Sequence, residues 1–262
     1  ESAGQFDEHE QARMVAPLLF SFSDQDASPT INARVGKKVV WDGTPQWCSN
    51  FHVQKGTQYR KLRVTMRDGK PDTVFVVGLE VRPGRGKYRS TNIITISPRY
   101  QLYNRSSYQL IFAQMYSVKN LSPQAQKTYL KAMPNSHMPF HWSSLEKEQL
   151  LCVSILDIRD CCWSGGLKID SINSMHVNIR DANGRVYFLR LEVILQDATF
   201  FVMFTDADTM PPPIRVDNFS EVPIQFGQNC YIDIMHSIAR AHSSVPYAWD
   251  EPTEPNIVRL IA

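Results

Sequence analysis

Leu62-Arg63-Val64-Thr65-Met66-Arg67-Asp68, followed by Gly69, is answered later in the chain by Met175-His176-Val177-Asn178-Ile179-Arg180-Asp181, followed by Gly184. In both stretches apolar and polar residues alternate, which is the period of a strand with one face buried. Both run into a turn, Asp68-Gly69 in the first and Asp181-Ala182-Asn183-Gly184 in the second. Asp-Gly and Asn-Gly supply the positive φ values that a tight hairpin needs. The reading is strand then turn, twice.

Working outward, further landmarks repeat in the same order. Trp47 precedes the first set and Trp163 the second; Leu79-Glu80-Val81 matches Leu191-Glu192-Val193. Pro98 to Asn104 matches Pro212 to Asn218, and Phe112-Ala113-Gln114 matches Phe226-Gly227-Gln228. Pro139-Phe140-His141-Trp142 returns as Pro246-Tyr247-Ala248-Trp249 after a shorter insertion. Before that shorter insertion, the matched positions lie about 114 residues apart. That length, with seven or more strand signals, suits one β-sandwich per unit. The expected fold is therefore all-β, built of tandem antiparallel β-sandwich repeats: 1–97 the back of one unit, 98–211 a complete unit, and 212–262 the front of a third. Thr73 to Val81 and Thr199 to Thr205 are apolar almost throughout and read as buried strands. Helix is expected only from Ser122-Pro123 through Leu130 and Met133, with Tyr231 to Ala239 ambiguous. Serial units of this kind usually present surface to partners and lack a single catalytic cleft.

Composition is that of an ordinary globular chain. Hydrophobic residues make up 43% and charged ones 21%, and the 28 Lys and Arg nearly balance the 26 Asp and Glu. A near-neutral chain has no global electrostatic pull toward nucleic acid or an anionic membrane. Arg82, Arg85, Lys87 and Arg89 crowd around Gly84 and Gly86, most simply as a solvated hairpin tip. The five cysteines are odd in number and two of them, Cys161 and Cys162, are adjacent, so a disulfide framework is not expected and a reducing compartment fits. The acidic, polar start from Glu1 to Gln11 does not read as a signal peptide, and no apolar run reaches the length of a membrane span.

Candidate chemistry is sparse. His137 and His141 have metal-ligand spacing for a helix, but Pro139 between them argues against that helix and no third ligand is signalled. Ser164-Gly165-Gly166 lacks the frame of a nucleophile elbow and reads as a turn. No catalytic residue, metal site or cofactor is expected. Asn104 and Asn218 each end an alternating run just before small polar residues. An asparagine there can bond backbone groups and hold a corner, and ligand contact is the alternative. Trp47 and Trp163 read as equivalent core or inter-repeat packing residues, and Trp142 and Trp249 as nearer the surface.

Three strings carry a family resemblance: Trp163-Ser164-Gly165-Gly166; Pro211-Pro212-Pro213 ahead of Ile214-Arg215-Val216-Asp217-Asn218; and His242 to Pro252. Together they resemble the adaptor-binding (SHORT-ROOT-binding-type) region of the vacuolar-protein-sorting-thirteen family of bridge-like lipid-transfer proteins. The similarity runs from about Met14 to Pro252, and the wording is nearest the animal D-type members. The resemblance implies six β-rich repeats, each with a characteristic asparagine that Asn104 and Asn218 match. This chain resembles the later repeats, the first and last of them incomplete. It also implies binding of proline-x-proline peptides of organelle adaptors and a cytoplasmic, peripheral place at membrane contact sites. Membrane association would then be indirect, with no nucleic acid bound and with the lipid-transfer rod in the same chain. The candidate peptide surface is Ile214, Val216, Phe219, Val222, Ile224 and Phe226, with Tyr247 and Trp249 as pocket walls. An architectural segment bracing the rod, or a lipid-binding sandwich face, are the alternatives.

Overall fold

A computed structural model describes residues 19–22, 26, 28–36, 42–67, 72–120, 122–207 and 210–261. The Asp68-Gly69 turn and the Glu1 to Gln11 stretch lie outside these residues. The chain forms two compact units, one containing the described residues up to Arg99 with Asp197–Thr199, the other Tyr100–Gln196 with Phe200 onward. Strand dominates both.

In the first unit, β1 (Thr30–Ile31), β2 (Gly43–Pro45), β3 (Phe51–His52), β4 (Gly56–Met66), β5 (Thr73–Pro83) and β6 (Asn92–Pro98) follow in order. β2-β4-β5-β6 make an antiparallel sheet, and β1 pairs with β3. The alternation read in the sequence survives: Leu62 and Val64 of β4 are buried while Lys61, Arg63 and Thr65 between them are exposed.

The second unit starts with β7 (Tyr100–Asn104), β8 (Leu110–Gln114), α1 (Met115–Lys119), α2 (Pro123–Gln126), β9 (Leu130–Ala132), β10 (Ser136–Phe140) and β11 (Leu151–Ile155). It continues with β12 (Asn173–Arg180), β13 (Val186–Gln196), β14 (Thr199–Asp206), β15 (Ile214–Asn218), β16 (Ile224–Gln228), β17 (Ser237–Ala239), β18 (Ser243–Tyr247) and β19 (Val258–Ile261). Two sheets, ordered β10-β7-β14-β13-β12 and β11-β8-β9, share one apolar core that includes Leu102, Phe112, Val153, Val177, Leu189 and Phe204. Shared burial of their inner faces is what holds a sandwich together. β15-β18 and β17-β16-β19 enclose a smaller core of Phe226, Ala239 and Tyr247.

A pair among the described strands departs from the antiparallel expectation. β14 runs parallel to β7, with Phe200 opposite Tyr100 and Phe204 opposite Asn104. Parallel neighbours need a long connection, and here it is the whole intervening chain from β8 to β13. β7 is thus flanked on both sides, by β10 and by β14.

Helix content is smaller than the sequence suggested. Ser122 caps α2 by accepting the Ala125 N–H at 3.2 Å, but the helix makes one turn. Leu130 to Ala132 then pair with β8 as β9, since ladder bonds to a buried strand outweigh a second turn of surface helix. Tyr231 to Met235 form turns closed on the Tyr231 carbonyl, and Ser237–Ala239 is strand. α1 was not foreseen. The turn at Asp181 to Gly184 forms as read, with the Asp181 carboxylate accepting the Asn183 and Arg185 N–H groups, both at 2.9 Å, and Gly184 at φ 78°.

Candidate functional site

The two asparagines end β7 and β15 and are almost fully buried, at 1% and 3% exposure. The Asn104 amide donates to the carbonyls of Tyr108 (2.8 Å) and Ala132 (3.0 Å). Its oxygen accepts the Ser106 N–H (3.0 Å) and hydroxyl (2.7 Å). Asn218 donates to Val222 (2.8 Å), Ala239 and Arg240 (3.0 Å each), and accepts the Ser220 N–H (3.0 Å) and hydroxyl (2.7 Å). Each side chain therefore ties its own corner to the strand behind it, β9 or β17. A serine two residues on completes the knot. Only an amide supplies two donors and an acceptor at one position, which is why asparagine stands there and aspartate would not serve.

A second corner was missed, although its residues were noted as landmarks. Gln114 donates to the carbonyls of Ser144 and Glu148 and accepts the Ser144 N–H. Gln228 donates to Glu251 and Pro255 and accepts the Glu251 N–H. A buried glutamine ending a strand was the available signal.

The third feature brings together two of the strings that carried the resemblance. Ser164 exchanges bonds with Val153, its N–H donating to the Val153 carbonyl and its hydroxyl accepting the Val153 N–H. At Gly165 a Cβ would run into the Asp250 carbonyl, and the Gly166 N–H donates to the Glu251 carboxylate at 2.7 Å. Beside it, Asp250 accepts Arg180 at both oxygens (2.7 and 3.1 Å), the Asn178 amide (3.0 Å) and the Tyr247 hydroxyl (3.0 Å). Arg180 also donates to the His236 carbonyl and the Ser237 hydroxyl. Both charges are buried and every side of the pair is engaged, the condition under which a buried ion pair is tolerated. Burial and the adjacent Asp250 raise the Tyr247 phenol well above its ordinary range, so it stays a donor to that carboxylate. The glycines and the Asp-Glu pair are two halves of one clasp.

The tryptophans need correction. Trp142 is buried at 4% exposure, edge-on to Phe140 and Tyr100, and cannot wall an open pocket. Trp47 is 43% exposed and lies under the Arg34 guanidinium at 4.3 Å, so it is not a core residue. Trp163 packs against Met115, Leu150 and Cys152 and is edge-on to Tyr129. Their backbone bonds are alike in kind but not in register, since the sequence match pairs Arg67, not Arg63, with Arg180. Gln46 and Cys162, each just before the tryptophan, donate to Arg63 of β4 and Arg180 of β12; Cys48 and Ser164, just after, donate to Ala33 and Val153.

Of the candidate peptide residues, Phe226 and Tyr247 are core and offer no surface. Ile214, Val216 and Trp249 are half-buried against that core, Ile224 is half-buried, and Phe219 (83% exposed) and Val222 sit at the Asn218 corner. β15 pairs with β18 on one side and, among the described residues, with no strand on the other. His137 lies in β10, stacked on Tyr103, so the two histidines do not share a helical face. No group of three metal-ligating side chains occurs among the described residues, and the five cysteines are free thiols. No helix among them is long and apolar enough to cross a membrane.

The described residues thus form a β-rich molecule with hydrogen-bonded corners, a buried clasp and a strand edge that no described strand covers. The chain belongs to the family described as vacuolar-sorting associated protein 13, adaptor binding domain, which matches residues 1–256. It is 38% identical to the human intermembrane lipid transfer protein VPS13D over 99% of this chain, and 42% identical to the Drosophila melanogaster Vps13D over all of it. The Chaetomium thermophilum VPS13 is 24% identical over 90%. The chain spans about 6% of the length of the human and fly relatives. The family is described by adaptor binding and not by a catalytic activity.

Proposed function

We propose that this chain recognises proline-x-proline peptides of organelle adaptors by taking them as an added strand on β15, and so recruits a lipid-transfer protein to membrane contact sites on the cytoplasmic side. The observation that carries the reading is the contrast between β7, flanked on both sides, and β15, flanked on one among the described residues. An unpaired strand edge is a template for an extended peptide. In this reading 98–211 is the complete repeat, closed by β14 against β7, and the peptide takes on β15 the place β14 takes on β7.

Side-chain spacing supports the ligand. Phe200, Val202 and Phe204 of β14 are buried at every second position. Two prolines separated by one residue have that spacing and lie over the apolar surface of Ile214, Val216 and Trp249. In a parallel pair the residue between them turns both its N–H and its C=O to β15, so the missing proline N–H groups face away. Phe226 and Tyr247 support that surface from below.

Calorimetric titration of the protein with a proline-x-proline peptide tests this. Replacing either proline by alanine should weaken binding at least tenfold, the middle residue should matter little, and Val216→Asp should abolish it. A peptide that binds as a helix, or whose binding survives Val216→Asp, would overturn the reading.

A further inference from the structure

The end of the first unit's sheet carries a cluster of cations that neither the fold nor the peptide reading uses. Register places Gly56 opposite Val81, so Lys55 stands beside Arg82; Arg82 in turn faces Ile93 across β6. Arg85, Lys87 and Arg89 lie on the connection between β5 and β6. All five are exposed, and none forms an ion pair among the described residues. Glu80 is the one acidic residue of β5. Between Glu80 and Glu146 the chain has nine Lys and Arg and no Asp or Glu.

The tip is an ordered structure. Gly84 N–H donates to Thr91 (2.8 Å), Thr91 to Tyr88 (2.8 Å) and Arg89 to Gly86 (3.2 Å), around a 3-10 turn at Gly86–Tyr88. Gly86 takes φ 59°, and a Cβ at Gly84 would meet the Tyr88 carbonyl, so both glycines are required by this shape. Tyr88 is exposed with the Lys87 ammonium 5.1 Å from its ring, and Ile93 is exposed below it. Folding alone does not demand such a tip. β13 and β14, consecutive in the same kind of antiparallel order, are joined by Asp197-Ala198 alone.

We propose that this tip docks on the anionic surface of a lipid bilayer. Exposed Arg and Lys at a loop tip match the negative, laterally mobile headgroups, and a tyrosine and an isoleucine among them suit the interfacial layer. A single-stranded nucleic acid would need a row of stacking aromatics along a basic groove, and the tip has one aromatic. A polybasic contact of this size gives weak, reversible binding that becomes durable when a second signal adds to it. It stands whether or not β15 binds peptide.

Flotation with phosphatidylcholine vesicles, with and without phosphatidylserine, tests the proposal on the whole chain. Binding should require phosphatidylserine and fade with added salt. Each cation near the surface contributes about fivefold in partitioning, so Arg85→Gln, Lys87→Gln and Arg89→Gln together should lower binding on the order of a hundredfold. Tyr88→Ser should lower it further, while neutralising Lys127, Lys131 and Lys168 should not. The thermal midpoint of the tip variant should be unchanged, since every replaced side chain is exposed. The proposal is overturned by absent vesicle binding, by equal binding without phosphatidylserine, or by binding that the tip variant retains. It is also overturned if the tip binds a single-stranded oligonucleotide while leaving vesicles unbound.

Discussion

Asn104 and Asn218 show how much one side chain can do at a chain corner. Each amide uses both its N–H groups and its oxygen on backbone or serine partners inside the fold. Asn104→Ala should therefore leave the Tyr108 and Ala132 carbonyls short of a donor and cost roughly 1–3 kcal/mol, read as a lower urea midpoint. Asn104→Asp should cost more, because it removes the donors and buries a charge. Loss of peptide binding with unchanged stability would mean that these residues touch ligand instead. The sequence made the asparagines visible by recurrence and by the polar residues after them. It placed Trp47 in packing and Trp142 nearer the surface, the reverse of what the structure shows, because a tryptophan near a proline has the same local signature buried or exposed. Only the packing of Tyr100 and Phe140 around Trp142 settles which it is.

At the scale of elements, the clasp joins β12 to the segment after β18. Arg180 and Asp250 are 70 residues apart in sequence and 2.7 Å apart in space. Asp250→Asn leaves the Arg180 guanidinium buried without a counter-charge, and such breaks cost roughly 3–5 kcal/mol in thermal or denaturant unfolding. Replacing both with apolar residues of similar volume, Arg180→Met with Asp250→Leu, should recover much of that loss, since neither charge is then stranded. If the double variant is no better than the single, the surrounding bonds from Asn178, Tyr247 and Ser237 carry more weight than the charges. Strands such as β4 and β12 were legible because alternation is local. The extension of the Ser122 helix to Met133 failed because pairing of Leu130–Ala132 with β8 is a contact between distant residues.

For the second unit as a whole, Cys152 is an internal reporter. It is buried in β11 between Met115, Leu150 and Trp163. Burial first, and then Glu251, push its thiol up to about 12. A thiol reagent attacks thiolate, so at pH 8 Cys152 should stay unlabelled in the native protein while the exposed Cys162 and Cys230 react. Burial also raises Cys162, which slows its reaction. Cys152 should label at the rate of opening of the unit, and more quickly in Asp250→Asn, as mass spectrometry of labelled peptides would record. Rapid native labelling would mean that β11 is open to solvent.

The sequence by itself determined the all-β class, the Asp181 turn, the order of the landmarks and the resemblance to an adaptor-binding family, since each rests on local period or on words long enough to be specific. The tertiary structure alone decided that β14 closes parallel on β7, that Phe226 and Tyr247 are core, and that the Trp163 glycines meet Asp250 and Glu251. The reason is physical: alternation shows which face of a strand is apolar, but not which strand lies beside it. A glycine reveals its purpose only when the carbonyl that would meet its missing Cβ has been brought against it.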